Sequence, residues 1–327
     1  MNERLRAWGT RERNLSRPLA WFHAASVGEG LQARAVIEAF RARHPSWQVA
    51  YTFFSPSAER FAESVAADVR DYAPFDLRGN VVAALDALAP SLLVFSKLDL
   101  WPELATAAAG RGVPVALIAG TVRPGSGRTR LPARALLAPG YASVARAGVI
   151  ADADADRLTQ LGLSRDRITV TGDPRADSVL ARVAAVPPND PLLTFGNGAP
   201  TLVAGSTWPH DEDVVLSAFA RLRETHGDAR LILVPHEPTG HALARIERQA
   251  ESLQLPAPTR LSSAGGPAPL LLVDRVGALA ELYGAGTMAY VGGGFGRAGL
   301  HSVLEPAAWG VPVAYMEIGR ASCRERV

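Results

Sequence analysis

Two short stretches are apolar almost without interruption: "SLLVF" at 91–95 and "VPVALIA" at 113–119. A strand with one face in water alternates apolar and polar residues, so a strand apolar on both sides must be buried on both. Such burial belongs to parallel sheets, whose strands need helical crossovers that cover the two faces. The same rhythm recurs along the chain. Strands are expected at 19–24, 48–54, 69–73, 91–96, 113–118, 146–151 and 167–171. Amphipathic or alanine-rich helical stretches separate them, at 31–43, 57–66, 79–88, 101–111, 131–138 and 153–161. This alternation predicts an α/β fold, with a first Rossmann-like domain over residues 1–178.

A stretch rich in Pro, Gly and Asn follows, "VPPNDPLLTFGNGAP" at 186–200, so a linker is expected over 179–200. The alternation then restarts. Strands are expected at 201–205, 230–234, 269–273, 287–291 and 311–315, and helices at 211–225, 240–252, 276–283 and 301–309. The second domain, 201–315, is therefore also Rossmann-like. Two such domains facing one another leave a cleft at the carboxyl ends of their strands, where ligands bind in open α/β sheets. That GT-B arrangement serves both glycosyltransferases and some epimerases, so it does not choose a reaction.

Composition narrows the classes. With 327 residues, 48% hydrophobic, the chain has ample core for two domains. A formal net charge of +2 gives no support to nucleic-acid binding. Lys97 is the only lysine among 34 basic residues, a skew expected of a GC-rich genome. One cysteine, Cys323, excludes an intramolecular disulfide and a cysteine-rich metal site. No apolar run approaches the roughly 20 residues of a membrane span, and no signal peptide is recognisable. The pattern "HSVLEPAAWGVPVAY" runs into "MEIGRASCRERV", which has no periodicity. Residues 316–327 are therefore expected to be a non-native tail that cuts the second domain short.

Four loops could carry chemistry. "WFHAASVGEG", 21–30, sets Glu29 on a glycine-flanked turn between a strand and a helix expected from Leu31. Ser26, Gly28 and Gly30 let backbone approach a ligand there. Glu29 suits a general base towards a hydroxyl; equally, any acid is favoured near the positive start of a helix. "GSTWPHDED", 205–213, offers Ser206 or Thr207 as caps of the next helix, or as a phosphate site. "VPHEP", 234–238, ends a strand with His236 and Glu237, either ribose or base contacts or a solvated loop. "VGGGFGRAGLHSVLEPAAWG", 291–310, is the most specific. Its Gly293, Gly294 and Arg297 suit a nucleotide phosphate. His301 and Glu305, four apart, would share one helix face, with Glu305 accepting from ribose hydroxyls. Two such ligands without a third do not make a zinc site.

Taken in order, "WFHAASVGEG", "YAPFDLRG", "LWPEL", "VTGDPRAD", "GST", "ILVPHEP" and "ELYGAGTMAYVGGGFGRAGLHSVLEPAAWGVPV" resemble the Kdo transferases, the 3-deoxy-D-manno-octulosonic acid transferases of lipopolysaccharide biosynthesis. The resemblance spans residues 17–315. It implies a GT-B enzyme that moves Kdo from CMP-Kdo to a lipid A precursor with inversion. It implies no further cofactor, no metal, and peripheral work at the cytoplasmic face of the inner membrane. Glu29 is then the implied catalytic base. Ser26, Gly28, Gly30, Lys97 and Asp99 fall on the acceptor side. Ser206, Thr207, His236, Gly293, Gly294, Arg297, His301 and Glu305 fall on the donor side. Three elements depart from the pattern. "SKLDLWPEL" places Lys97 where the family commonly has an acid, with Asp99 standing for a second acid. "GTVRPGSGR", 120–128, replaces another family element, and Ser302 replaces an asparagine. A lysine and added arginines suit an anionic headgroup, though Lys97 as a plain surface residue fits equally. The arginine-rich start, "MNERLRAWGTRERNLSRP", is expected to be solvated, with weak contact to anionic lipid as the alternative. Two other readings stay open: a GT-B-like enzyme using a UDP-sugar, and a non-catalytic nucleotide-sugar-binding relative.

Overall fold

The computed structural model describes residues 3–196, 198–295 and 301–316. Arg297 and nearly all of the expected tail lie outside the described residues. The chain forms two compact units, Met1–Asp177 and Ser178–Val327.

The first unit is built on β1 (Leu19–His23), β2 (Gln48–Phe53), β3 (Val69–Tyr72), β4 (Leu92–Ser96), β5 (Val115–Gly120), β6 (Arg146–Val149) and β7 (Ile168–Val170). All neighbours pair in parallel, in the order β3-β2-β1-β4-β5-β6-β7. Alternate residues of β1 enter different cores. Leu19 and Trp21 pack with Leu93, Phe95 and Val115, while Ala20 and Phe22 pack with Ile37, Val49 and Tyr51. Both faces are thus covered, as the apolar runs require.

The second unit holds β8 (Thr201–Thr207), β9 (Arg230–Pro235), β10 (Thr259–Arg260), β11 (Leu270–Leu272), β12 (Met288–Val291) and β13 (Val313–Tyr315). Their order is β10-β11-β9-β8-β12-β13, again parallel. Ile232 and Val234 of β9 enter one core, Leu231 and Leu233 the other. The two-residue β10 was too short to leave a pattern in the sequence.

Several expectations are corrected. The N-terminal segment is not a solvated start. Glu3–Arg11 is a helix that buries Leu5 and Trp8 in the first core, and the Leu5 N–H donates to Asp71 Oδ2 at 2.9 Å. Two large apolar side chains contribute about 1.5–3 kcal/mol each when buried, enough to hold an arginine-rich helix down. The stretch expected as linker is structured. Pro174–Ala185 is helical, and Phe195 is buried in a core of the second unit. Arg230 Nη1 donates to the Gly196 carbonyl at 3.0 Å, which ties this segment to β9.

His23, at the end of β1, is 1% exposed. Its Nδ1 lies 3.0 Å from Thr52 Oγ1, and its ring meets Phe95 and Trp101 edge-on. Burial pushes its pKa down to about 4 against the pull of the Asp99 charge and a Thr52 hydrogen bond. A histidine kept neutral in the fold favours folding above its unfolded value near 6.5, and that contribution is lost as pH falls towards 4. The loss is on the order of 2–3 kcal/mol. Unfolding free energy measured in urea should therefore fall between pH 6.5 and 4, with a shallower slope in His23→Gln; equal slopes would contradict this placement.

Gly28 and Gly30 test the packing of one helix turn. A Cβ on Gly28 would meet nothing within 4 Å, whereas on Gly30 it would lie 2.5 Å from Phe61 Cε1 and 2.8 Å from Tyr51 Oη. Alanine gains up to about 1 kcal/mol over glycine in a helix, and overpacking costs about 1–3 kcal/mol. Gly28→Ala should be neutral or stabilising and Gly30→Ala destabilising by about 1 kcal/mol or more in urea denaturation. The opposite ranking would show that the turn packs differently.

Candidate functional site

In each sheet the strand order reverses beside one inner strand, β1 in the first and β8 in the second. The neighbours of β1 are β2 and β4; those of β8 are β9 and β12. At such a switch point the loops at the carboxyl ends part, and a ligand can enter between them. Most of the expected site residues lie at these two points, one in each unit.

In the first unit, β1 runs into a turn fastened to the end of β2. The Ala25 carbonyl accepts from the N–H groups of Phe54 and Ser55, at 3.1 and 2.8 Å. The next helix is Val27–Arg43, which starts four residues before the expected Leu31. Glu29 is therefore not on a turn but in the first helical turn, three residues after the N-cap Ser26. Its Oε2 accepts from the Ser26 N–H and from the Ser26 hydroxyl, both at 3.0 Å. This is the glutamate half of a capping box, and it outweighs the low helix propensity of the flanking glycines. The Ser96 hydroxyl, at the end of β4, donates to the Glu29 carbonyl at 3.0 Å. Among the described residues Glu29 Oε1 accepts no hydrogen bond.

Burial raises the Glu29 pKa, and the negative charge of Asp99 raises it further. The two Ser26 hydrogen bonds and the Lys97 charge pull the other way. Lys97 and Asp99, which follow β4, thus both act on the Glu29 carboxylate. Lys97 has a left-handed backbone, φ 66°, and its N–H donates to the Ile118 carbonyl at 2.8 Å. A non-glycine residue held this way costs energy, and such residues gather at functional sites. Asp99 Oδ1 accepts from Arg128 Nη2 at 3.4 Å and Oδ2 from the Trp101 indole at 3.3 Å. Arg128 belongs to the altered "GTVRPGSGR" element, and sequence reasoning did not link it to Asp99. Gly28 is exposed and Gly30 buried in the same turn.

In the second unit, β8 pairs with β9 up to Gly205↔Val234, and the register resumes at Thr207↔Pro235. Ser206 is the extra residue of this bulge, with φ 52°. It does not cap the next helix, and neither does Thr207. That helix is Pro209–Thr225, with Trp208 as N-cap. The buried Thr207 hydroxyl instead sits 3.2 Å from Glu212 Oε1 and 3.4 Å from the Val234 carbonyl. Asp211, fully buried, takes the capping role. Its Oδ2 accepts from the N–H groups of Trp208 and Gly293, at 2.9 and 3.0 Å, and its Oδ1 from the Tyr290 hydroxyl at 2.6 Å.

The glycine-rich turn after β12 is drawn in against this acid. A Cβ on Gly292 would lie 2.6 Å from the Ser206 carbonyl and 2.9 Å from Asp211 Oδ2, so the close approach demands glycine. The Gly293 N–H is spent on Asp211 rather than left for a phosphate, and Gly294 is buried beside it. His301 and Glu305 do not share a helix face, because the helix is only Leu304–Ala308 and His301 precedes it. Glu305 faces the charges of Arg182 and Glu281, and burial raises its pKa. His301 joins a stack of rings. Trp208 lies 4.8 Å from His236, and His236 lies 4.4 Å from His301, with interplanar angles of 25° and 26°. Trp208 was not singled out in the sequence; its place between "GST" and the helix start was the available signal. Beside the stack, a pocket of about 270 Å³ is lined by Thr207, Trp208, Pro235, Glu237, His241 and Arg245, among others. Among the described residues no group of three His, Cys, Asp or Glu side chains is placed to hold a metal ion.

Comparison with known proteins gives this geometry a context. A family description, 3-deoxy-D-manno-octulosonic-acid transferase (kdotransferase), matches residues 1–178. The chain is 28% identical over 316 residues to the 3-deoxy-D-manno-octulosonic acid transferase of Chlamydophila psittaci, covering 91% of this chain and 69% of the relative. It is 23% identical to the transferase of the same description from Haemophilus influenzae, covering 90% of this chain and 69% of that one. Among solved structures, UDP-GlcNAc 2-epimerase from Neisseria meningitidis, bound to UDP-GlcNAc, superposes with a TM-score of 0.59 at 13% identity, covering 91% of this chain and 81% of that one. That likeness concerns the fold, a GT-B type with two Rossmann-like parallel-sheet units. The match over more than half of the chain settles its kinship: this protein belongs to the 3-deoxy-D-manno-octulosonic-acid transferase family of glycosyltransferases.

Proposed function

We propose that this protein transfers Kdo from CMP-Kdo to a hydroxyl of a lipid A precursor, with inversion, and that Glu29 is the catalytic base. The observation that carries the reading is the state of Glu29. One carboxylate oxygen is held by Ser26, the other is uncommitted among the described residues, and burial with the Asp99 charge makes the group more basic than an ordinary glutamate. A base of this kind takes up a proton better than a solvated carboxylate does. In the reaction, the acceptor oxygen bonds to the anomeric carbon of Kdo as its proton passes to Glu29. The bond from that carbon to the phosphate oxygen breaks, and CMP leaves with the electron pair. The donor would be held in the second unit, by Ser206, Thr207 and His236, by Arg297, and by His301 and Glu305, with Gly293 and Gly294 giving room for its close approach rather than N–H donors. Hydrogen-bond donors aimed at the departing phosphate would stabilise its growing charge. The donor carries its own leaving group, so no further cofactor enters this reading. Ser26, Gly28, Gly30, Lys97 and Asp99 would meet the acceptor, with Lys97 and Arg128 offering positive charge to an anionic headgroup.

No helix among the described residues is long and apolar enough to cross a membrane. With a lipid acceptor, the enzyme is proposed to work as a peripheral protein at the cytoplasmic face of the inner membrane. A second reading, a UDP-sugar enzyme, draws on the fold of the epimerases alone. Competition separates the two, because CMP should displace the donor from a Kdo transferase and UDP should not.

The direct test follows CMP release and product mass with CMP-Kdo and a lipid A precursor. Glu29→Gln should fold, since the glutamine oxygen still accepts from Ser26. Its turnover should fall by about 10²–10⁴-fold with CMP affinity unchanged. Retained turnover would remove Glu29 as the base.

A further inference from the structure

We infer that Trp208 is a positioning residue that locks His301 in a single neutral tautomer, with its proton on Nδ1, so that an imidazole N–H is presented to the phosphate of the nucleotide sugar. The inference rests on the proposed donor site of the second unit. It begins from one contact: Trp208 Nε1 lies 3.1 Å from His301 Nε2 and donates to it. An indole N–H has no acceptor character, so the imidazole nitrogen facing it must carry its lone pair. A neutral imidazole then has its one proton on Nδ1. A doubly protonated ring would set two N–H groups head to head.

Trp208 is itself fixed at three points. Its backbone N–H is held by Asp211 Oδ2 at 2.9 Å, its ring stacks on His236, and its indole nitrogen holds His301. The His301 backbone is tied down separately, its N–H donating to the Gly292 carbonyl at 3.2 Å. The backbone is thus anchored to the glycine turn and the ring to the helix start at Trp208, two segments of the proposed donor site.

The titratable groups that face His301 are His236, from the end of β9, and Asp211, from the helix Pro209–Thr225. Burial and the stacked His236 keep the imidazole from charging, and Asp211 opposes them. The first two outweigh Asp211, and the His301 pKa lies below the ordinary histidine value. A neutral N–H donor gains from the charge that develops on the leaving phosphate without having to acquire a proton first.

The test uses the full chain with ring ¹⁵N-labelled histidine, the His301 signals being assigned by their loss in His301→Gln. Two-bond ¹H–¹⁵N correlations distinguish the tautomers directly. His301 should show the Nδ1–H pattern and stay neutral below the ordinary histidine value near 6.5. Trp208→Phe keeps an aromatic ring for stacking and removes the indole N–H together with the smaller ring that carries it. In that variant the single-tautomer pattern should be lost, the His301 midpoint should rise, and CMP should bind about 3- to 10-fold more weakly, the worth of one hydrogen bond. An Nε2–H pattern in the wild type, or an unchanged pattern in Trp208→Phe, would overturn the inference while CMP binding still upheld the donor site. The expected tautomer with CMP leaving the His301 signals unmoved would overturn it through the donor site itself. A purely structural Trp208 would lower stability without moving the tautomer.

Discussion

Parallel sheets buried on both faces leave a polar group few places to stand. Strand interiors are apolar on either side, and an unpaired polar side chain there costs several kcal/mol. Hydroxyls, imidazoles and carboxylates therefore collect where strands end, and the reversal of strand order beside β1 and β8 opens those ends to a ligand. The position of Glu29 in one unit, and of Ser206, Trp208 and the glycine turn in the other, follows from that constraint.

The two units meet the constraint with one device put to two uses. Each has an acid three residues after the helix N-cap, Glu29 after Ser26 and Asp211 after Trp208, folded back onto the N-cap N–H. Asp211 is fully buried and both of its oxygens are bonded, so it acts as a hub that joins the helix start, the glycine turn and β12. Glu29 spends one oxygen on Ser26, and its second oxygen has no hydrogen bond among the described residues. Equivalent places in two folds thus differ in what remains for chemistry. Capping and catalysis are compatible readings of Glu29, because the cap fixes the side chain that the proposed reaction uses.

Much of this was legible in the sequence, because continuous apolar runs and their spacing report burial. The strands about β1, β4, β5, β8 and β9 were placed within a few residues, and the loops after them were singled out as candidates for chemistry. What escaped depended on contacts between distant segments. Glycines at 28 and 30 argued for a turn, but the Ser26–Glu29 pairing carries the helix back to Val27. His301 and Glu305 have helical spacing, yet only Leu304–Ala308 is helical, and the two side chains have different neighbours. The N-terminal arginines hid Leu5 and Trp8, whose burial needs the helix Arg78–Leu88 and the first core. The Trp208–His236–His301 stack joins residues from three loops and has no local signature.

In the proposed reaction Glu29 works as a base whose affinity for protons is set by its surroundings. The most direct measurement is the pH dependence of kcat/KM for the lipid acceptor, in the wild type and in Asp99→Asn. The wild-type rate should rise with pH through an apparent pKa above the ordinary glutamate value of about 4.3. Because the Asp99 charge raises the Glu29 pKa, its removal should move that limb to lower pH. A limb that stays in place in Asp99→Asn, or a wild-type limb at the ordinary glutamate value, would contradict the assignment of Glu29.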